Sequence, residues 1–567
     1  MHRARRLRRP ALLALAMLFA GAANDYGGED GAPESHYQPA GTFGAYLTGR
    51  FAAQRTDLDT AADKLEAVAT QESGLREITT QAFLAAALAG RPAAARLAAG
   101  LPDNPVAQLV LADRDALAGQ WDSAEARFQA LPQNGVTQVL RPLLIAWAQQ
   151  GAMRTDAALN TLKPSLEGQR YRGVTALHAG LIADLGGRPA EAGQLYRLAF
   201  SDYGALNLRL GTILASWQAR QGQVEEAQRT IRDLAASSTD LSIARLALEA
   251  DVANPAVQSA TDGIAEAYLA LAATLRQQNA GDSADVLLRL ALDLRPGFTA
   301  ARLLLADIQE MARRNQAALQ TLAPVPADDP LSAVVRLRQA NLMDAVGRPD
   351  EAAQALEELA REHPDRPEPL AQAGDLLRRK SRFAEAAAMY DRAVSRIGTP
   401  TRANWPLFYE RGVARDRAGQ WPDAEKDFEY ALQLAPDQPA ILNYLGYAWT
   451  EQGRNLDRAR TMLERAAQER PNDGAIVDSL GWLLLRQGEA AAALAHLEHA
   501  VEMQPEDPVI NGHYGDALAA VGRVREAGFQ WQRALTMNPE ADDAQRITAK
   551  LQATPEDSAP VPAAAPR

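Results

Sequence analysis

The chain has 567 residues, no cysteine, and a formal net charge of −12 from 59 basic and 71 acidic side chains. The missing cysteine excludes disulfides, thiol catalysis and cysteine metal sites, and the acidic balance argues against a nucleic-acid partner, which needs a basic face. Alanine and leucine far outnumber the aromatic residues, which favours closely packed helices over strands.

Residues 1–23 read MHRARRLRRPALLALAMLFAGAA. A basic head (Arg3, Arg5, Arg6, Arg8, Arg9) leads into an apolar run over 11–20 and then into small residues suited to signal-peptidase cleavage. The apolar run is about half of the roughly 20 residues a spanning helix requires, so the segment predicts export with cleavage, and in a bacterial cell a periplasmic destination. Removing it leaves 54 basic against 71 acidic residues, a charge near −17. Residues 24–42 are rich in Gly, Pro and acid and read as a flexible lead-in.

From Phe43 onward one pattern recurs with a period close to 34. A small residue stands at Gly49, Ala112, Ala146, Gly180, Ala215, Ala272, Ala306, Ala340, Gly374, Gly412, Gly446, Gly481 and Gly515, with Phe83 filling the second place. Twelve residues after each comes an alanine, from Ala61 and Ala95 through Ala493 and Ala527; only in the Gly446 unit does it come thirteen later, at Ala459. Paired small residues at that spacing let the two helices of a hairpin cross closely. Turn signals such as Gly119-Gln120-Trp121 and Gly347-Arg348-Pro349 separate the two helices, and Pro436, Pro471, Pro505 and Pro539 stand where the second helix ends.

The departures from the period divide the chain. The steps from Phe83 to Ala112, Ala215 to Ala272 and Gly374 to Gly412 are 29, 57 and 38 residues. The longest leaves room for an eroded unit over 241–250 and a polar linker or degenerate repeat over 251–262. The expectation is therefore an N-terminal array over 43–250, a C-terminal array over 263–540, a capping helix over 541–553 and a disordered tail over 554–567. The predicted fold is all-α, a right-handed superhelical solenoid of about 14–15 helix-turn-helix repeats.

Catalytic constellations are missing from this pattern. His496 and His499 share a helix face but have no third ligand, and no nucleophile elbow, phosphate loop or dinucleotide fingerprint occurs. The chain is read as no enzyme, with no cofactor and no metal. A hairpin superhelix instead offers a groove lined by first helices, and the positions three before and one after each small anchor should face it. These give Asn443 and Tyr447, Asp478 and Trp482, and Asp516, joined by Arg486, as candidate partner-binding residues. Tyr447 and Trp482 offer anchoring area; Trp482 fits packing between adjacent hairpins equally well. Asn443 and Asp478, polar within apolar helices, are suited to exposure or a specific hydrogen bond.

The Leu-Gly pairs, turn glycines and terminal prolines over 43–540 resemble the tetratricopeptide repeat superfamily. Asn443, Leu445-Gly446-Tyr447, Gly453-Arg454 and the run Asp478-Ser479-Leu480-Gly481-Trp482 with Arg486 and Gly488 further resemble the C-terminal repeats of exported bacterial repeat proteins. Among these is the outer-membrane lipoprotein adaptor of a periplasmic carboxyl-terminal processing protease. That resemblance implies a scaffold that docks a protease and its substrate; with no cysteine to carry lipid, this chain would be soluble or held by partners. The alternative reading is a glycan-binding or polysaccharide-export accessory solenoid, which calls for several aromatic residues along one face.

Overall fold

The computed structural model describes residues 41–553 apart from 56, 73, 134, 136, 169 and 170. The predicted signal peptide, residues 24–40 of the lead-in and the tail over 554–567 lie outside the described residues. Every described element is a helix, and the helices pair into consecutive antiparallel hairpins, such as Pro439–Gln452 with Leu456–Glu469 and Gly474–Arg486 with Ala490–Met503. The architecture is an all-α solenoid of helix-turn-helix repeats. By contact density the chain divides into two compact units at Leu359/Ala360, and residues 251–262 lie inside the first.

The anchors do what their spacing implies. Thirteen of the fourteen paired alanines, including Ala61, Ala158, Ala459 and Ala527, are fully buried. The exception is Ala95: in the shortened second hairpin the helix Ala93–Ala98 is six residues long and presents Ala94 and Ala98 to the core instead. Whether the first anchor is Gly also depends on a residue sixteen or seventeen positions on. A Cβ at Gly481 would lie 2.7 Å from Leu497 Cγ, and one at Gly515 2.6 Å from the Trp531 ring, closer than carbon atoms pack. Glycine stands there because the second helix leans a bulky side chain onto its backbone.

Local chemistry sets the helix ends. Asp473 and Asp507 accept hydrogen bonds from the amides of Ile476 and Ile510, and Pro439 and Pro508 occupy first-turn positions whose N–H would be idle. Gly488 closes its helix at φ 87°. The extra residue between Gly446 and Ala459 is absorbed by two left-handed residues, Gly453 at φ 65° and Asn455 at φ 49°, the residue types that tolerate that region best.

In the first unit, the step of 57 residues holds two short helices, Thr239–Ser242 and Arg245–Asp251, and then Ala260–Gln277, which is 18 residues long. Ser259 and Asp262 form a capping box that starts this helix. It packs on the first helices of earlier hairpins. Trp147 lies against the backbone of Gly263, Tyr268 Oη donates to Asp113 at 2.9 Å, and Arg209 pairs with Glu266. The inner face of this unit is thus filled by its own chain.

Candidate partner-binding face

In the second unit the first helices of four successive hairpins are Trp405–Arg417, Pro439–Gln452, Gly474–Arg486 and Pro508–Ala520. Positions three before, one after and five after each anchor fall one helical turn apart and so share a face. On Pro439–Gln452 they are Asn443, Tyr447 and Glu451; on Gly474–Arg486 they are Asp478, Trp482 and Arg486; on Pro508–Ala520 they begin with Gly512 and Asp516.

The structure brings most of the predicted residues together around one that the sequence reading did not select, His513. Its ring stacks on Trp482 with centroids 4.1 Å apart and planes 11° from parallel, and Tyr447 lies 6.3 Å away. Asp478, which is buried, sits 3.0 Å from His513 Nδ1. Trp482 Nε1 donates to Glu451 at 2.5 Å, and the Arg486 guanidinium lies 5.7 Å from the Trp482 ring centroid. Asp516 stands at the far side, accepting from Trp531 Nε1 at 2.9 Å and from Lys550 Nζ at 2.6 Å. Asn443 stands apart: its Oδ1 is shut from solvent and accepts no hydrogen bond.

Burial alone would lower the His513 pKa, but the adjacent Asp478 carboxylate outweighs it, with Asp516 and Glu451 adding to the field, and holds the imidazole above its ordinary value. Burial, reinforced by Glu451 and Asp478, raises the Tyr447 hydroxyl. The face is therefore an acidic, aromatic floor with a buried histidine at its centre. Its chemistry, carboxylates beside aromatic rings, is that of a binding surface. His496 and His499 lie on the second helix Ala490–Met503, and among the described residues no group of three or more His, Cys, Asp or Glu side chains could hold a metal ion.

One signal for His513 was available. Asp478 to His513 is 35 residues, one period plus one, so the two lie on neighbouring first helices; the anchor-minus-three rule selected Gly512 beside it. Glu451 occupies the same place as Arg486, one turn beyond Tyr447, and was legible by the same rule carried one turn further.

Models of the tetratricopeptide repeat match residues 275–340, 337–402, 409–474, 454–508 and 479–545. Over residues 275–402 and 409–545 the chain is similar to the tetratricopeptide repeat. A TPR repeat-containing protein of Pseudomonas aeruginosa is 30% identical over 219 residues, which are 38% of this chain and 36% of that protein. The aspartyl/asparaginyl beta-hydroxylase of Mus musculus is 28% identical over 195 residues, 33% of this chain and 26% of the enzyme. The chain thus spans between a quarter and about a third of the length of these curated relatives. Among solved structures, the APC/C hetero-tetramer Cut9–Hcn1 is similar at a TM-score of 0.38 and 14% identity, covering 91% of this chain and 97% of that one. YrrB, a TPR protein with an unusual peptide-binding site, is similar at 0.28 and 20%, covering 35% and 99%. Tetratricopeptide repeats form a scaffold for protein–protein interaction, and the hairpin array of this chain has that architecture.

Proposed function

We propose that the chain is an exported adaptor of the bacterial envelope, whose partner lies on the inner face of the second unit, and that this partner is a periplasmic processing protease together with its substrates. The observation that carries the choice of face is Asn443. Asp478, Trp482 and Asp516 all have hydrogen-bond partners, while the Asn443 Oδ1 is buried without a donor. A buried acceptor left idle costs free energy; the residue as a whole is half-buried, and with its side chain turned outward a backbone amide of a bound polypeptide would supply the missing donor. The inner face of the first unit, by contrast, is filled by Ala260–Gln277.

Support for the envelope comes from residues 1–23, and support for the protease from the likeness of the segment around Asn443 to Gly488 to the adaptor repeats. The glycan-binding alternative gains no open platform: Tyr409, Phe428 and Tyr444 pack on one another at 4.8–5.9 Å, and Trp482 lies under His513. Affinity capture with the mature full chain as bait, from envelope extract, tests the reading. Recovery of a processing protease with the wild type, reduced about tenfold by Asn443→Ala, is the expected result. Recovery of glycan with no protein overturns it. N-terminal sequencing of the protein from fractionated cells tests export separately, by a new N-terminus near residue 24.

A further inference from the structure

Helix Ala541–Ala553 sits where the capping helix was expected, and it also crosses the face just described. Glu540, at its start, meets Arg417 at 3.3 Å on the first of the four inner helices. Arg546 reaches Glu451 at 3.6 Å on the second. Ile547 is buried over Gly512 on the fourth, where a Cβ would lie 3.5 Å from its Cδ1, and Lys550 pairs with both carboxylate oxygens of Asp516. Asp543, bonded to Arg546, contributes to the field at Tyr447. The helix is about 20 Å long, enough to span the face. Its inward stripe of Asp543, Ile547, Lys550 and Leu551 follows helical spacing, Arg546 is exposed at the edge of that stripe, and Asp542, Gln545, Thr548, Ala549 and Gln552 are exposed.

The floor beneath it carries carboxylates at Glu451, Asp478 and Asp516, and the helix answers with two cations bracketing one aliphatic side chain. We propose that this face is a receptor for an amphipathic helix in which an aliphatic residue follows one cation and precedes a second by three positions, and that helix Ala541–Ala553 is its resident occupant, displaced when a partner helix of the same chemistry binds. The inference rests on the scaffold reading above and names the class of ligand. Charge complementarity selects the ligand: Ile547 enters the apolar cluster of the unit, and Arg546 and Lys550 set register against two acids of different hairpins. A tethered occupant competes at the millimolar effective concentration of a short linker, so a free ligand meets a closed face unless the resident helix is loosened.

The probe is a fluorescein-labelled synthetic peptide of residues 540–553, titrated into the full-length chain and followed by anisotropy. The receptors are the wild type and two full-length variants that loosen the resident helix, Arg546→Glu/Lys550→Glu and Ile547→Asp. The expected result is binding to both variants at least about tenfold tighter than to the wild type, with a peptide carrying Glu at 546 and 550 failing to bind any of them. Equal affinity for wild type and variants, no binding to the variants, or equal binding of the two peptides overturns the proposal. So does loss of far-UV helical signal from the variants beyond what one thirteen-residue helix accounts for, because the helix is then part of the fold and not a removable occupant. Failure here leaves partner capture by the wild-type chain untouched, and failure of capture leaves the peptide titration readable.

Discussion

At the scale of single residues, two buried histidines carry opposite consequences. His178 is enclosed by its unit, accepts a hydrogen bond from Trp147 Nε1 at 3.1 Å and has no carboxylate beside it; burial lowers its pKa from 6.5 to about 3. Folding keeps it neutral, so its contribution to stability is complete above 6.5 and is lost as pH falls from there toward 3. His513 has a folded pKa above the ordinary 6.5 because Asp478 faces it. Its contribution is complete below 6.5 and is lost as pH rises through the folded value. Denaturant titrations across pH are expected to show His178→Gln flattening the acid limb and His513→Gln flattening the limb that begins above 6.5. Asp478→Ala, which leaves the buried His513 Nδ1 without its partner, should cost about 2 kcal/mol, against near zero for the exposed Asp542→Ala control.

At the scale of the hairpin, the glycine anchors make a sharper prediction than capping does. Gly481→Ala places a Cβ against Leu497, and overpacking of that kind costs roughly 2 kcal/mol. Gly488→Ala meets open space but holds φ 87° and should cost about 1 kcal/mol. The two differ in rescue: Leu497→Ala should relieve Gly481→Ala in a double-mutant cycle and leave Gly488→Ala unchanged. This is also where the sequence was most legible. The anchors and their alanine partners follow from spacing, because each is dictated by contact between adjacent elements. The slip at Ala95 was not legible, since an alanine-rich stretch offers several equally small residues and only the length of Ala93–Ala98 decides among them. His513 was hidden for another reason: its role depends on Asp478 one hairpin back and Trp482 beneath it, a relation between neighbouring repeats that a rule applied within each repeat does not reach. The crossing of the inner face by Ala541–Ala553 is set by contacts with Arg417 and Glu451, more than ninety residues away, and no local pattern encodes it.

At the scale of the whole molecule, the two compact units each have their own apolar clusters and should melt as separable transitions in scanning calorimetry. Tyr268→Phe, which removes the donor to buried Asp113, is expected to lower one transition by about 2 kcal/mol of stability, and Asp478→Ala the other. A shift of both by either substitution would show a single cooperative block. Repeat arrays ordinarily gain stability from nearest neighbours alone, and among the described residues the second unit departs from this at its crossing helix Ala541–Ala553.

Tyr268 and Asp113 are 155 positions apart, and that separation governs the order in which the protein can be made. A stack of hairpins bonded only to its neighbours can fold as it leaves the ribosome, each pair closing on the last. Here the hairpins that contain Asp113 and Trp147 remain unfinished until residues 260–277 have been synthesised, because their inner surface is completed by a helix not yet translated. At 5–20 residues per second, the roughly 130 codons from Trp147 to the end of that helix take about 7–26 s, during which an apolar surface stays open. The nascent chain is thus bound to a waiting period that is long compared with hairpin closure, and a chaperone that recognises exposed apolar helices has its substrate in that interval.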